Sequence, residues 1–166
     1  MRNIAVSLVS IAALTACVAN GQGFTNFGFE SAEIVAVSTN ANGSVNVATG
    51  NAIPGWTAFV GTSQLSVIAY DTPTSVTWPA VGLLGGPQAP AIEGNFDVGL
   101  FENGSITQTG LVPAASESLL FGVSFGGSQP FVVSLDGQDL SYIALSNEVN
   151  SSGVGYTIYG ADVSGY

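Results

Sequence analysis

Histidine is absent from the chain, and Arg2 is the only basic residue among 166. Residues 3–166 therefore cannot assemble a Ser-His-Asp or Cys-His centre, a Schiff-base lysine, an arginine clamp on phosphate or a histidine metal site. The same lack removes the basic surface on which nucleic acid or an anionic lipid would bind. Charged residues of either sign make up 7% of the chain, against roughly 25% in an average soluble protein. There is one cysteine, Cys17, so no disulfide can form within the chain. A domain exported without disulfides must be held by its core. Hydrophobic residues reach 46%, which is enough to build one, and the length suits a single domain.

The first residues have the plan of an export signal. MRN supplies a short positive start, and residues 4–19 (IAVSLVSIAALTACVA) are uncharged and apolar. That run is short of the roughly 20 residues a membrane span needs, but it fits a secretory signal peptide. Ala19-Asn20-Gly21 before Gln22 meets the small-x-small cleavage rule, and a cut between Ala19 and Asn20 is the alternative. The expected organisation is a signal peptide over 1–21 and one domain over 22–166, with no transmembrane span after cleavage. A second reading stays open, because Leu14-Thr15-Ala16-Cys17 also matches a lipobox, in which Cys17 would be acylated and anchor the protein. Past the leader the chain carries eleven carboxylates and no cationic side chain.

No window of 22–166 holds a helical period. Short runs rich in Val, Ile, Phe, Tyr and Thr are cut by Gly, Asn, Asp and Pro, the pattern of an all-β sandwich or barrel. Expected strands lie at 24–29, 32–38, 44–48, 56–60, 65–69, 97–102, 105–109, 118–126, 130–135, 139–145 and 155–163. Asn103-Gly104 and Asp136-Gly137 each separate two alternating runs and predict type I′ hairpins. Segment 71–95 holds four of the seven prolines, Pro73, Pro79, Pro87 and Pro90. Proline cannot donate to a sheet ladder, so this segment is expected to be a long irregular loop, either functional or a plain crossover.

Catalysis could use carboxylates alone, and the sequence marks no pair of them. Asp136 reads as a turn residue, Glu117 and Asp139 as solvated charges. The expectation is a protein that is not an enzyme, with a carboxylate glycosidase as the distant alternative. Sugar binding would use aromatic platforms flanked by amides and carboxylates. The candidates around the proline-rich loop are Trp78 and Tyr70, with Asp71, Gln88 and Asn95. Trp56, at the start of an expected strand, reads as core.

Several stretches carry a resemblance. GFTNFGFESAEIVAV, IPGWTAFVG (53–61), AIEGNFDVGLFENGSITQTGLVPAASESLLFGVSF (91–125), FVVSLDGQDLSYIALS (131–146) and YTIYGADVSGY (156–166) together resemble secreted bacterial proteins of the PEP-CTERM sorting family. Their domain is like the galactose-binding jelly roll of carbohydrate-binding modules. The resemblance implies a jelly-roll β-sandwich in the bacterial envelope or extracellular matrix, with exopolysaccharide as a partner; a structural or adhesive matrix protein without a defined ligand is the alternative. It also implies a structural calcium near the first strand, with Glu30 at the position of the acidic ligand. Glu30 reads equally well as a strand-end carboxylate accepting backbone N–H bonds. Members of the family continue with further strands and a sorting signal beyond the point matching Tyr166. The resemblance thus implies that the last strands of the sandwich are missing and that strand 155–163 lies at a sheet edge or leaves an inner face open.

Overall fold

A computed structural model describes residues 6–7, 23–41, 43–72, 79–101, 103–124 and 131–166. Among the described residues the chain is mostly β with almost no helix, as its β-branched runs dictate. Its only helix among the described residues is the turn α1, Thr49–Ala52. No helix of the described residues is long and apolar enough to cross a membrane. Cys17 and Trp78 lie outside the described residues, as does the expected leader apart from the backbone of Val6–Ser7.

The largest sheet contains β1 (Val6–Ser7), β2 (Ala36–Thr39), β3 (Val45–Ala48), β6 (Val67–Tyr70), β7 (Val81–Leu84) and β8 (Asp97–Leu100), in the spatial order β1-β8-β7-β6-β3-β2. Its β6–β7 pair is parallel and the other pairs are antiparallel. A second sheet sets β4 (Thr57–Val60) between β5 (Ser63–Leu65) and β9 (Gly104–Thr107). A third sets β14 (Gly155–Asp162) between β10 (Ser118–Val123) and β13 (Tyr142–Val149). The ribbon of β11 (Ser134–Leu135) and β12 (Gln138–Asp139) completes the set.

Two clusters of apolar side chains bind these sheets. Phe29, Val47, Ile53, Ala58, Ile68, Val81, Leu83 and Val98 form the first, with Trp56 and Tyr70 packed against it. Trp56 is therefore core-facing, as expected, and its indole N–H donates to the Asn26 carbonyl at 3.1 Å. The second cluster is built on Phe121, Val123, Ala161 and Val163. Alternation in β10 aims Leu119, Phe121 and Val123 to one side, where Phe131, Tyr142 and Tyr159 meet Phe121 at ring-centroid distances of 5.6–5.9 Å.

Three expectations are corrected. Segment 71–95 is not irregular throughout. Val81–Leu84 is a wholly buried strand between β6 and β8, and the prolines of the segment flank it, so none has to donate to its ladder. Asn103-Gly104 does not close a hairpin. Only Asn103 has positive φ, 61°; β8 pairs with β7, and β9 pairs with β4 in another sheet. Asp136-Gly137 does close one, with φ of 51° and 74° and Leu135 opposite Gln138. Finally, β14, expected at a sheet edge or beside an open inner face, is not at an edge but at the centre of its sheet.

Among the described strands, the edges of that sheet fall to β10 and β13 instead. Ile143, Leu145 and Val149 on β13 are 68%, 53% and 69% exposed, and a bulge between Ala144 and Ser146 interrupts its register. The bulge blunts this edge in part, but its exposed apolar side chains still invite association. Replacing Ile143 and Leu145 together by Thr should lower light scattering in concentrated solution. The melting temperature should change little, since Thr suits a strand and exposed substitutions cost within ~0.5 kcal/mol. Equal scattering from both proteins would show that the edge does not drive association.

Candidate functional site

Without a lysine, arginine or histidine in the folded part, the strongest donors a carboxylate can find are N–H groups. The segment joining β7 to β8 shows the result, for it is pinned by three acids in succession. Asp71, in the left-handed region at φ 53°, accepts from the N–H groups of Gln88 and Ala89 at 2.8 and 2.9 Å. Glu30 accepts from the N–H groups of Asn95 and Phe96 at 2.9 and 3.2 Å, and from the Asn95 side-chain amide at 2.7 Å. Asp97 accepts from the N–H of Ile92.

Of the residues selected from sequence, Tyr70, Asp71, Gln88 and Asn95 border this segment, and Trp78 is outside the described residues. Tyr70, Asp71 and Gln88 share one corner, with the Gln88 amide also reaching the Asp71 carbonyl at 3.4 Å. Tyr70 packs against Phe96, ring centroids 6.2 Å apart, and Asn95 is the next residue along. Burial, followed by the charge of Asp71, raises the Tyr70 phenol above its ordinary pKa. The polar groups of Asp71, Gln88 and Asn95 bond inward, however, to the backbone and to Glu30. The corner is a latch that shapes the loop, and a sugar would compete with bonds already made.

Glu30 fills the second of its two expected roles. It follows Phe29, a buried residue at φ 60°, and that left-handed kink, sparsely populated for a bulky side chain, swings the carboxylate over the 94–96 turn. Gly94, at φ 63°, leaves room for it, since a Cβ there would collide with the Glu30 carboxylate. Glu30→Ala should cost about 1–3 kcal/mol, the scale of hydrogen bonds to a charged acceptor, read as a shift of the urea midpoint at unchanged slope. No shift would mean that water replaces the carboxylate without loss.

The residue that sequence reading missed is Asp97. It opens β8 and is 0% exposed. Its Oδ2 takes the Ile92 N–H, whereas its Oδ1 is buried without a partner, as is Oε2 of Glu93. Burial pushes the Asp97 carboxyl up to about 7; the N–H groups of Ile92 and Glu93 hold it down, and the charges of Glu30 and Glu93 raise it further. Burial raises the Tyr156 phenol, and the charges of Glu93, Glu148 and Asp97 raise it further. In the sequence Asp97 looks like any acid at a strand start. The one available signal is its place within a continuous run of strand residues, Asp97-Val98-Gly99-Leu100.

A raised carboxyl beside a second acid is the arrangement of a general acid and its partner. Asp97 is sealed from solvent, so no external glycosidic oxygen can reach it. Among the described residues no three His, Cys, Asp or Glu side chains form a group able to hold a metal ion. Comparison of the chain with family models, with curated proteins and with solved structures finds no match.

Proposed function

We propose that the chain is an exported, non-enzymatic β-sandwich of jelly-roll type, a structural or adhesive component of a bacterial cell surface or extracellular matrix. The observation that carries this reading is β13. It is an eight-residue edge strand with one charged residue, Glu148, neither lysine nor proline, and three exposed apolar side chains. Such an edge suits side-by-side association. The leader-like start, the lack of cationic side chains after Arg2 and the resemblance to secreted PEP-CTERM proteins support export. Release with Gln22 or Asn20 as the first residue, read by mass, would agree with signal-peptide cleavage; an acylated Cys17 would move the protein to a lipid anchor.

A polysaccharide-binding form of the same module is favoured by one observation, the half-buried Tyr70–Phe96 pair beside an exposed Gln88 and Asn95. A glycan array, run with and without calcium, separates the two. The structural reading expects no sugar above background. A hit that Tyr70→Ala removes would replace it with the binding module.

A further inference from the structure

We infer that the outer edge of β8 is a docking site for strand β2 of a second copy of this chain, occupied by the leader strand β1 until the leader is removed. Vacating the edge rests on the export and leader cleavage proposed above. In the full chain Val6 pairs with Leu100 and Ser7 with Gly99, antiparallel, at one end of the largest sheet. A segment expected to be cut away is therefore built into that sheet. Its loss takes the partner from the outer backbone groups of β8, where Val98 and Gly99 are buried. Unpaired edge groups of this kind are a template for another strand.

Strand β2 matches the place in sequence, position and direction. Ala36-Val37-Ser38 repeats the Ala5-Val6-Ser7 of the leader strand. β2 ends the same sheet at its opposite side and is exposed along its whole length, with Val35 and Val37 each 57% exposed. β8 is antiparallel to β7, β7 is parallel to β6, and the β6–β3 and β3–β2 pairs are antiparallel. β2 therefore runs opposite to β8, as β1 does, and a second copy in the same orientation presents it antiparallel to β8. With Val37 and Ser38 in the register of Val6 and Ser7, Asn40 falls opposite Asp97, and no carboxylate of one strand faces a carboxylate of the other. Charge points to the same joint. Residues 3–166 contain no lysine, arginine or histidine, so two copies cannot meet through salt bridges and must meet where acids are absent. β2 has none. A joint between two different patches is head-to-tail, and repeated without closure it builds a filament.

The test compares three forms of the protein, each carrying Ile143→Thr and Leu145→Thr to silence the β13 edge. They are the purified unprocessed chain, its Val6→Pro/Ser7→Pro variant, in which neither residue can donate to the ladder, and the product that leaves the cell. In sedimentation velocity the proline variant and the exported product should gain mass with concentration without reaching a plateau, and the unprocessed chain should not. Adding Val37→Lys, a charge on an exposed edge strand, should abolish the gain while the circular dichroism spectrum is kept. A free peptide of residues 33–40 should cap the growing ends and lower the mass. A proline variant that stays monomeric would overturn the joint, showing that β10, which also runs close to β1, walls off the vacated edge. Growth that a folded Val37→Lys variant retains would overturn it as well. An exported product that keeps its leader would overturn the cleavage alone, since the joint is read separately in the proline variant.

Discussion

The protein should become more stable as the pH falls from about 7 to about 4. The cause is Asp97. Its carboxyl titrates near 7 in the folded chain and near its ordinary 3.8 once exposed. Between those values the folded state binds a proton that the unfolded state does not. Stability is then greatest below the unfolded pKa, declines as the pH rises, and levels off above the folded pKa. Three pH units at 1.36 kcal/mol each set the scale at about 4 kcal/mol. Asp97→Asn should flatten the profile across this window and raise the melting temperature at about pH 8, because the amide is neutral. Denaturant melts at four or five pH values would decide it. A wild-type midpoint that stays level or climbs between pH 5 and pH 8 would mean that Asp97 is ionised in the folded chain at little cost.

Phe121→Ala should be the most damaging single truncation in the β10-β14-β13 sheet. The ring is 1% exposed, stacked on Tyr159 with 17° between the planes and set edge-on to Phe131 and Tyr142. Removing a buried Phe costs about 3–5 kcal/mol through lost transfer energy and the cavity left behind. Domains of this size hold only about 5–15 kcal/mol in total, so the variant should approach half-unfolding near physiological temperature. Near-UV circular dichroism should lose its tyrosine bands first, since Tyr142 and Tyr159 line the cavity. Tyr142→Phe provides the scale. It keeps the ring and deletes only the hydroxyl bond to the Phe131 carbonyl, 2.8 Å, worth about 1 kcal/mol. Equal losses from the two variants would show that the cluster is held by that bond and not by packing.

Local chemistry was legible wherever a feature is decided locally. Asp136-Gly137 closes its hairpin because both residues accept positive φ and the strands have no competing partner. Asn103-Gly104 carries the same signal, yet the flanking strands join different sheets. A turn dipeptide specifies a change of direction, and the partner of each strand is chosen by long-range packing. Val81–Leu84 was hidden by its prolines, which argue against a strand only where they sit within the ladder. Tyr70, Asp71, Gln88 and Asn95 border the same segment and Trp78 lies outside the described residues, but sequence does not tell a side chain that faces a ligand from one that ties down its own loop. Asp97 escaped notice because burial of a lone acid leaves no mark in a single sequence.

The position of β14 has a bearing on the order in which the chain can fold. β10 and β13 share no ladder; each is joined only to β14, the last strand of the described chain. Ser118 pairs with Asp162 at a sequence separation of 44. A polypeptide delivered from its N-terminus holds two open strand edges until Gly155–Asp162 arrives between them. Closure of that sheet is therefore a late, non-local event, of the kind that makes β-rich domains fold in milliseconds to seconds. A chain that cannot close early stays threadable for longer, which would serve the export proposed above.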